Sequence, residues 1–374
     1  MQFTISREAL LKPLLRVAGA VEKRQTLPIL ANILVSVKNQ LLSLTGTDLE
    51  IEMIARIPLT QSALAGTTTI PGKKLIDICK ALPDSALISF ELTDNKVAVR
   101  ANRSRFLLAC IPGENFPRVE ETPGDMELSV GQVVIRQLLE LTSFAMAHQD
   151  VRYYLNGVYL IFSANEIRAV ATDGHRLASI ALPIKAPHLT EPMSVIVPRK
   201  AILEMQRLFQ EGEEEIGLVI GKNHLRAVMM HSSFITKLIE GKFPDYRRVM
   251  PEEGRIGHQV LVAREPLRQA LLRVSALFSD KYRGVGLQFS PQLLRIVAVT
   301  ADKDEVEDEV EIPYAGPSME IGVNASYVIE FLSIIKTEQV KITFSDPSQV
   351  VLLETEDQNT GHVGLQYVVM PMRL

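Results

Sequence analysis

Leu267, Leu271, Val274 and Phe278 stand at i, i+4, i+7 and i+11, which puts all four within one narrow stripe of a 3.6-residue helix. The stretch VLVAREPLRQALLRVSALF, 260 to 278, therefore predicts a strand running into a helix whose stripe is buried. Arg264 and Arg268 flank the stripe on one side and Arg273 on the other. Pro266 falls in the first turn, where a missing N–H is tolerated. Taken singly, this is a solvated face over a core. The pattern, however, recurs.

The same strand-then-helix reading fits FTISREALLKPLLRVAGAV (3 to 21) and LSVGQVVIRQLLELTSFAMA (128 to 147), with Leu10 and Leu14, then Ile135 and Leu139, in the places of Leu267 and Leu271. A second unit also occurs three times: TTIPGKKLIDICKALPD (68 to 84), SVIVPRKAILEMQRLFQ (194 to 210) and MEIGVNASYVIEFLSIIK (319 to 336). Pro71, Pro198 and Asn324 mark its strand-to-helix junctions, about 127 and 126 residues apart. A third unit places Asp48, Asp173 and Asp302 between flanking strands. Three ordered markers at one period predict a triplicated domain of about 125 residues, near the usual domain size.

Within a repeat, strands alternate around two helices. LANILVSV, LLSLTGTD and EIEMIARIP precede the second helix of repeat one, and ALISFELTD, KVAVRAN and SRFLLACIP follow it, joined by turn-like pairs. Each repeat thus reads as two helices and seven or eight strands, an α+β fold. Ser6 is the expected cap of the first helix, which carries Pro13 inside it. Two connectors match each other, GENFPRVEETPGD (113 to 125) and GKFPDYRRVMPEEGRIG (241 to 257), through Phe116-Pro117 and Phe243-Pro244. The expected domains are 1–125, 126–253 and 254–374.

Composition changes the picture little: 47% hydrophobic and 22% charged residues over 374 positions is globular. No apolar run reaches membrane-span length, and MQFTISREALL lacks the layout of a signal peptide, so the cytoplasm is the expected location. Cys79, on a predicted helix, and Cys110, in a predicted strand, have no CxxC partner and read as free thiols.

Charge changes it more. The six predicted helices (7 to 23, 72 to 82, 131 to 147, 199 to 210, 264 to 278, 325 to 336) hold fifteen Lys and Arg against seven Asp and Glu, although the whole chain carries −4. Helix propensity favours Lys and Arg, but it favours Glu as well, and Glu is depleted there. If all six helices share a side, that side attracts a polyanion while the rest of the molecule repels it. A domain of this size is roughly 36 Å across, so three in a ring leave a hole of about 6 Å and six leave about 36 Å. Duplex DNA, roughly 20 Å wide, passes only through the larger hole, which two chains provide. A ring or solenoid that binds another polyanion is the alternative.

Enzyme motifs fail. GTTTIPGKK (66 to 74) has five residues between its glycines and no Ser or Thr after the lysine, and no GxSxG or HExxH occurs. Asp173 and His175 in TDGHR fit a turn or binding role better than acid–base work. The acidic run after Asp302 has Glu307 where a calcium loop needs glycine.

Seven stretches in order, TLPILANIL (26 to 34), LTGTDLEIEM (44 to 53), MAHQDVRYYLNG (146 to 157), ATDGHRLA (171 to 178), VIVPRK (195 to 200), KFPDYRRV (242 to 249) and YVVMPMRL (367 to 374), resemble the bacterial DNA sliding clamp family, the beta subunit of DNA polymerase III. The resemblance covers the whole chain. It implies the clamp fold, a head-to-tail homodimeric ring around duplex DNA of any sequence, with helices lining the hole and sheets outside. It further implies partners in the polymerase catalytic subunit, the clamp loader and other proteins with a clamp-binding motif. No cofactor, metal, membrane or catalytic activity is implied.

Carried over residue by residue, the resemblance assigns DNA contacts to Arg24, Lys73, Gln149, Tyr153 and Tyr154, with the alternative that one of the two tyrosines packs in the core. It assigns a partner-peptide pocket to Leu155, Thr172, Gly174, His175, Arg176, Leu177, Pro244, Arg248, Val249, Val368, Val369, Met370, Pro371, Met372, Arg373 and Leu374. Strand alternation alone accounts for Tyr367 and Val369 as core. The implied dimer contact sets Phe106 and Leu108 against Leu277 and Phe278, and Lys74, Arg103 and Arg105 against Glu305, Glu307 and Asp308.

Overall fold

The computed structural model describes residues 1–21, 27–119, 124–209, 214–251, 257–277, 283–300, 303–356 and 363–373. Arg24, Phe278, Asp302 and Leu374 lie outside them. The described residues form six α-helices, two per repeat: α1 (Arg7–Val17), α2 (Gly72–Ala81), α3 (Gln132–Glu140), α4 (Arg199–Leu208), α5 (Arg264–Ser275) and α6 (Ala325–Ile334). They also form 24 strands, eight in each repeat.

Helix starts follow from local chemistry. Ser6 Oγ accepts the Ala9 N–H at 3.2 Å, and Asn324 Oδ1 accepts the Ser326 N–H at 3.0 Å, each satisfying a donor that the first turn leaves unpaired. Helix ends fall earlier than predicted. α3 stops at Glu140 instead of running to 147, because Thr142 Oγ1 donates to Leu138 O at 2.7 Å and the chain then tightens into a 3₁₀ turn at Ser143–Ala145. α1 likewise gives way to a 3₁₀ turn at Ala18–Ala20. α5 ends at Ser275, and its predicted stripe is buried at Leu267, Leu271 and Val274.

Contacts group the chain into two compact units, residues 1–133 with 203–238, and residues 134–202 with 239–374. The sequence repeats are thus divided otherwise by contact, since neighbouring repeats share sheets. In the first unit an eight-stranded antiparallel sheet runs in the order Gly66–Pro71, Asn32–Lys38, Leu41–Thr47, Ile51–Pro58, Ser232–Lys237, His224–Met229, Glu215–Ile220, Met126–Gly131. Its junction between repeats pairs Ile51 with Thr236 and Ile54 with Ser233. A four-stranded sheet, Gln2–Ser6, Leu87–Thr93, Lys96–Ala101, Ser104–Ala109, completes that unit, with Phe3 stacked on Phe90 in its core.

The second unit repeats the scheme. Its eight-stranded sheet runs Met193–Pro198, Gly157–Phe162, Glu166–Thr172, Arg176–Pro183, Val363–Val369, Val351–Glu356, Gln339–Phe344, His258–Ala263. Here the junction pairs Arg176 with Val369 and Ser179 with Gln366. Its four-stranded sheet runs Glu305–Glu311, Leu293–Val299, Gly284–Ser290, Met319–Asn324. In both units the fourth strand of one repeat pairs with the eighth strand of the next. The fourth strand of repeat three, Glu305–Glu311, and the eighth of repeat one, Ser104–Ala109, end their sheets with one edge unpaired.

Candidate partner groove and nucleic-acid-facing positions

The groove begins with a turn that the sequence dictates. In Thr172-Asp173-Gly174-His175-Arg176, Thr172 Oγ1 donates to Arg176 O at 2.6 Å and accepts the Gly174 N–H at 3.0 Å. Asp173 Oδ1 accepts the N–H groups of His175 and Arg176 at 2.9 and 3.1 Å. Gly174 takes φ +91°, which glycine adopts without strain. Repeat one builds the same turn: Thr47 Oγ1 donates to Ile51 O at 2.7 Å, and Asp48 Oδ1 accepts from Glu50 and Ile51 at 2.9 and 2.8 Å. In these two repeats the aspartate is a turn-former, and that is the physical content of its recurrence at 48 and 173.

In repeat two the turn does more, because its last residue is a buried arginine. Arg176 Nε donates to Asp173 Oδ2 at 3.0 Å, Nη1 to Glu330 Oε2 at 2.7 Å and Nη2 to Phe144 O at 2.8 Å. Its guanidinium lies 4.4 Å from the centroid of Tyr327. Every face of this charge is occupied, so it acts as a fixed wall between the turn and α6.

Beside that wall lies a cavity of about 220 Å³ lined by Arg152, Tyr154, Leu155, Thr172, Gly174, Arg176, Leu177, Phe243, Pro244, Asp245, Tyr246, Val249, Val368 and Met370. Its floor is apolar. Leu155, Leu177, Phe243 and Val368 are buried in one cluster with Ala147, Val170, Ile196 and Leu352, and Tyr154, Tyr246 and Val249 pack on it half-buried. At the rim, Arg152 holds Asp150 through Nε and Nη2 at 3.0 and 2.8 Å and reaches Asp173 O at 3.1 Å. The side-chain hydrogen bond from Arg152, and then its backbone N–H, bring the Asp150 carboxyl down to about 2. A shaped apolar cavity with a few fixed polar groups suits a short peptide with hydrophobic anchors.

Nine of the sixteen predicted pocket residues line this cavity: Leu155, Thr172, Gly174, Arg176, Leu177, Pro244, Val249, Val368 and Met370. Val369 does not, because alternation turns it to the other face of the strand, where it is buried with Tyr367. His175 is exposed on the turn, Arg248 and Arg373 are exposed, and Pro371 and Met372 are half-buried beyond the cavity, Met372 donating its N–H to Gly322 O at 2.9 Å. Phe243, Asp245, Tyr246 and Arg152 escaped the sequence reading. The first three sit in what reads as a proline-rich connector, and only the recurrence of Phe-Pro there hinted at burial.

Of the two tyrosines assigned to DNA, Tyr154 is half-buried and lines the cavity, while Tyr153 is 58% exposed and meets Tyr154 edge-on at 5.8 Å between centroids. Lys73, on α2, and Gln149, at φ +56°, are exposed. Along the unpaired edges, Phe106 and Leu108 are half-buried, whereas Arg103, Arg105, Lys74, Leu277, Glu305 and Glu307 are exposed. The Asp308 carboxylate binds Arg273 of the same chain at 2.5 and 3.1 Å. Among the described residues no group of His, Cys, Asp and Glu is placed to hold a metal, and no helix is long and apolar enough to cross a membrane.

Comparison with known proteins agrees along the full length. The N-terminal, central and C-terminal domains of the DNA polymerase III beta subunit match residues 1–120, 129–245 and 247–373. The beta sliding clamp of Pseudomonas aeruginosa is 48% identical over 374 residues and that of Escherichia coli 42%, each with 100% of both chains covered. A crystal structure of the P. aeruginosa subunit superposes with a TM-score of 0.95 at 48% identity, and one of the Caulobacter crescentus sliding clamp with 0.92 at 33%, again over 100% of both chains. The chain belongs to the DNA polymerase III beta subunit family, the non-catalytic sliding clamps that confer processivity on a replicative polymerase.

Proposed function

We propose that two copies of this chain close head to tail into a ring around duplex DNA and present the groove to the polymerase, the clamp loader and other clamp-binding proteins in the cytoplasm. The supporting observation is the strand order. Each junction inside the chain joins a fourth strand to the next repeat's eighth, and the two strands that lack such a partner are the complementary pair, Glu305–Glu311 and Ser104–Ala109. Carrying the register of the internal junctions over to a second copy sets Val306 opposite Phe106 and Glu307 opposite Arg105, as Met53 stands opposite Phe234 and Ala178 opposite Tyr367. Half-buried faces half-buried and charge faces opposite charge, so two edges that invite aggregation are sealed by closure. Within this reading 1–125, 126–253 and 254–374 are the three clamp domains of each copy.

Lys73, Gln149 and Tyr153 are exposed and supply a phosphate partner, an amide and an aromatic edge, none of which reads a base sequence. Holding is therefore topological. A ring loaded on nicked circular DNA should survive salt that removes it from the same DNA once linearised, because contacts to phosphate weaken with salt and encirclement does not. Equal loss from the two DNAs would overturn the ring.

A further inference from the structure

One face of the second unit's eight-stranded sheet carries a row of paired residues that crosses the strands: Thr172, Leu177, Val368, Leu352, Thr343 and Gln259. The groove described above stands over Leu177 and Val368. A second cavity, of about 170 Å³, stands farther along the same row over Thr343, walled by Arg248, Val249, Met250, Gln349 and Val350. The cavities share Val249, and Met250 and Val350 pack on the same apolar cluster that floors the groove. Neighbouring strands lie about 4.8 Å apart, so Val368 and Thr343 are two steps, roughly 10 Å, from each other. Three extended residues span that distance.

The second cavity has different chemistry. Thr343 Oγ1, shielded from solvent, has no hydrogen-bond partner. Arg248 has its side chain 84% exposed and meets Asp245 only at 3.6 Å. No carboxylate is among the described residues that line the cavity. An unsatisfied hydroxyl beside an exposed cation, with an apolar wall, favours an occupant that brings an acceptor and a negative charge on a short aliphatic stem.

We propose that this cavity is a second compartment of the partner groove, which takes a carboxylate side chain of the bound peptide three to four residues from its apolar anchors. The carboxylate accepts from Arg248 and from the Thr343 hydroxyl, and its stem lies on Val249 and Met250. The proposal rests on the reading of the first cavity as the anchor site.

The test uses the full-length protein and fluorescein-labelled octapeptides with one Leu-Phe pair and a single Asp, Ala or Lys placed three or four positions before or after it. Anisotropy should show, at one of these placements, the Asp peptide binding about fivefold or more tightly than the Ala peptide and the Lys peptide more weakly than both. Thr343→Val removes only an unpartnered hydroxyl. It should narrow the Asp-to-Ala ratio while the Ala peptide keeps its Kd. Equal binding of Asp and Ala peptides at every placement, or an Asp preference untouched by Thr343→Val, overturns the second compartment and leaves the anchor site standing. Failure of every peptide to bind overturns both.

Discussion

The Asp173 carboxylate holds two backbone N–H groups and one arginine nitrogen, and its counterpart Asp48 holds the matching two backbone N–H groups. Replacing either by alanine leaves turn donors unsatisfied, at about 1–3 kcal/mol in each case. Urea titration should find comparable destabilisation in Asp48→Ala and Asp173→Ala, while only Asp173→Ala weakens capture of a partner peptide. If both variants bound peptide equally well, Glu330 and Phe144 alone would suffice to hold Arg176. Burial pushes the Cys79 thiol up to about 11, with Arg7 opposing the rise, and the residue is fully buried on α2. At pH 8 it should stay protonated and unmodified, so mass spectrometry after a maleimide pulse should place label on the half-buried Cys110 first and on Cys79 only after unfolding. The turn aspartates were legible because a turn needs only its own few residues and this one recurs. The roles of Tyr153 and Tyr154 were not, since adjacent aromatics on an irregular loop have no period from which to read a direction.

At the scale of elements, the strand Val363–Val369 divides its side chains between two tasks. Tyr367 stacks on Phe331 at 4.9 Å between centroids and donates its hydroxyl to Tyr327 O at 3.2 Å, while Val368 faces the groove. Beyond the strand, the N–H groups of Met370 and Met372 bond to His175 O and Gly322 O, each at 2.9 Å. Removing residues 370 to 374 therefore strips the Met370 wall but spares the strand. Gel filtration should show an unchanged dimer, and rings already on DNA should be retained, whereas polymerase stimulation and loader-dependent loading should be lost. Full stimulation by the truncated protein would refute the groove. Helix starts were legible from Ser6 and Asn324, and strands from alternation. Helix ends were not, because the hydrogen bond from Thr142 that stops α3 competes with an apolar period which continues past it. The apposition of Leu352 and Thr343 was likewise hidden, since cross-strand register belongs to no single stretch of chain.

At the scale of the molecule, the register carried from the internal junctions makes a sharp prediction about the edges. Antiparallel partners lie about 4.5–5.5 Å apart between Cα atoms, within the reach of a disulfide. Oxidised Phe106→Cys/Val306→Cys protein should therefore yield a covalent dimer on a non-reducing gel, with neither single variant doing so. A species that stays monomeric under oxidation would show that the edges do not meet in this register. The same junctions bear on how the chain is made. Strand Ile51–Pro58 must wait for Ser232–Lys237, and Arg176–Pro183 for Val363–Val369, so each sheet is sealed only when nearly all of the following repeat has been synthesised. A nascent polypeptide halted inside repeat three would carry bare edges and no groove. Quality control and competence are thereby joined, since the strand that seals the sheet also brings Val368 to the partner site, and an unfinished product has nothing for a polymerase or a loader to grip.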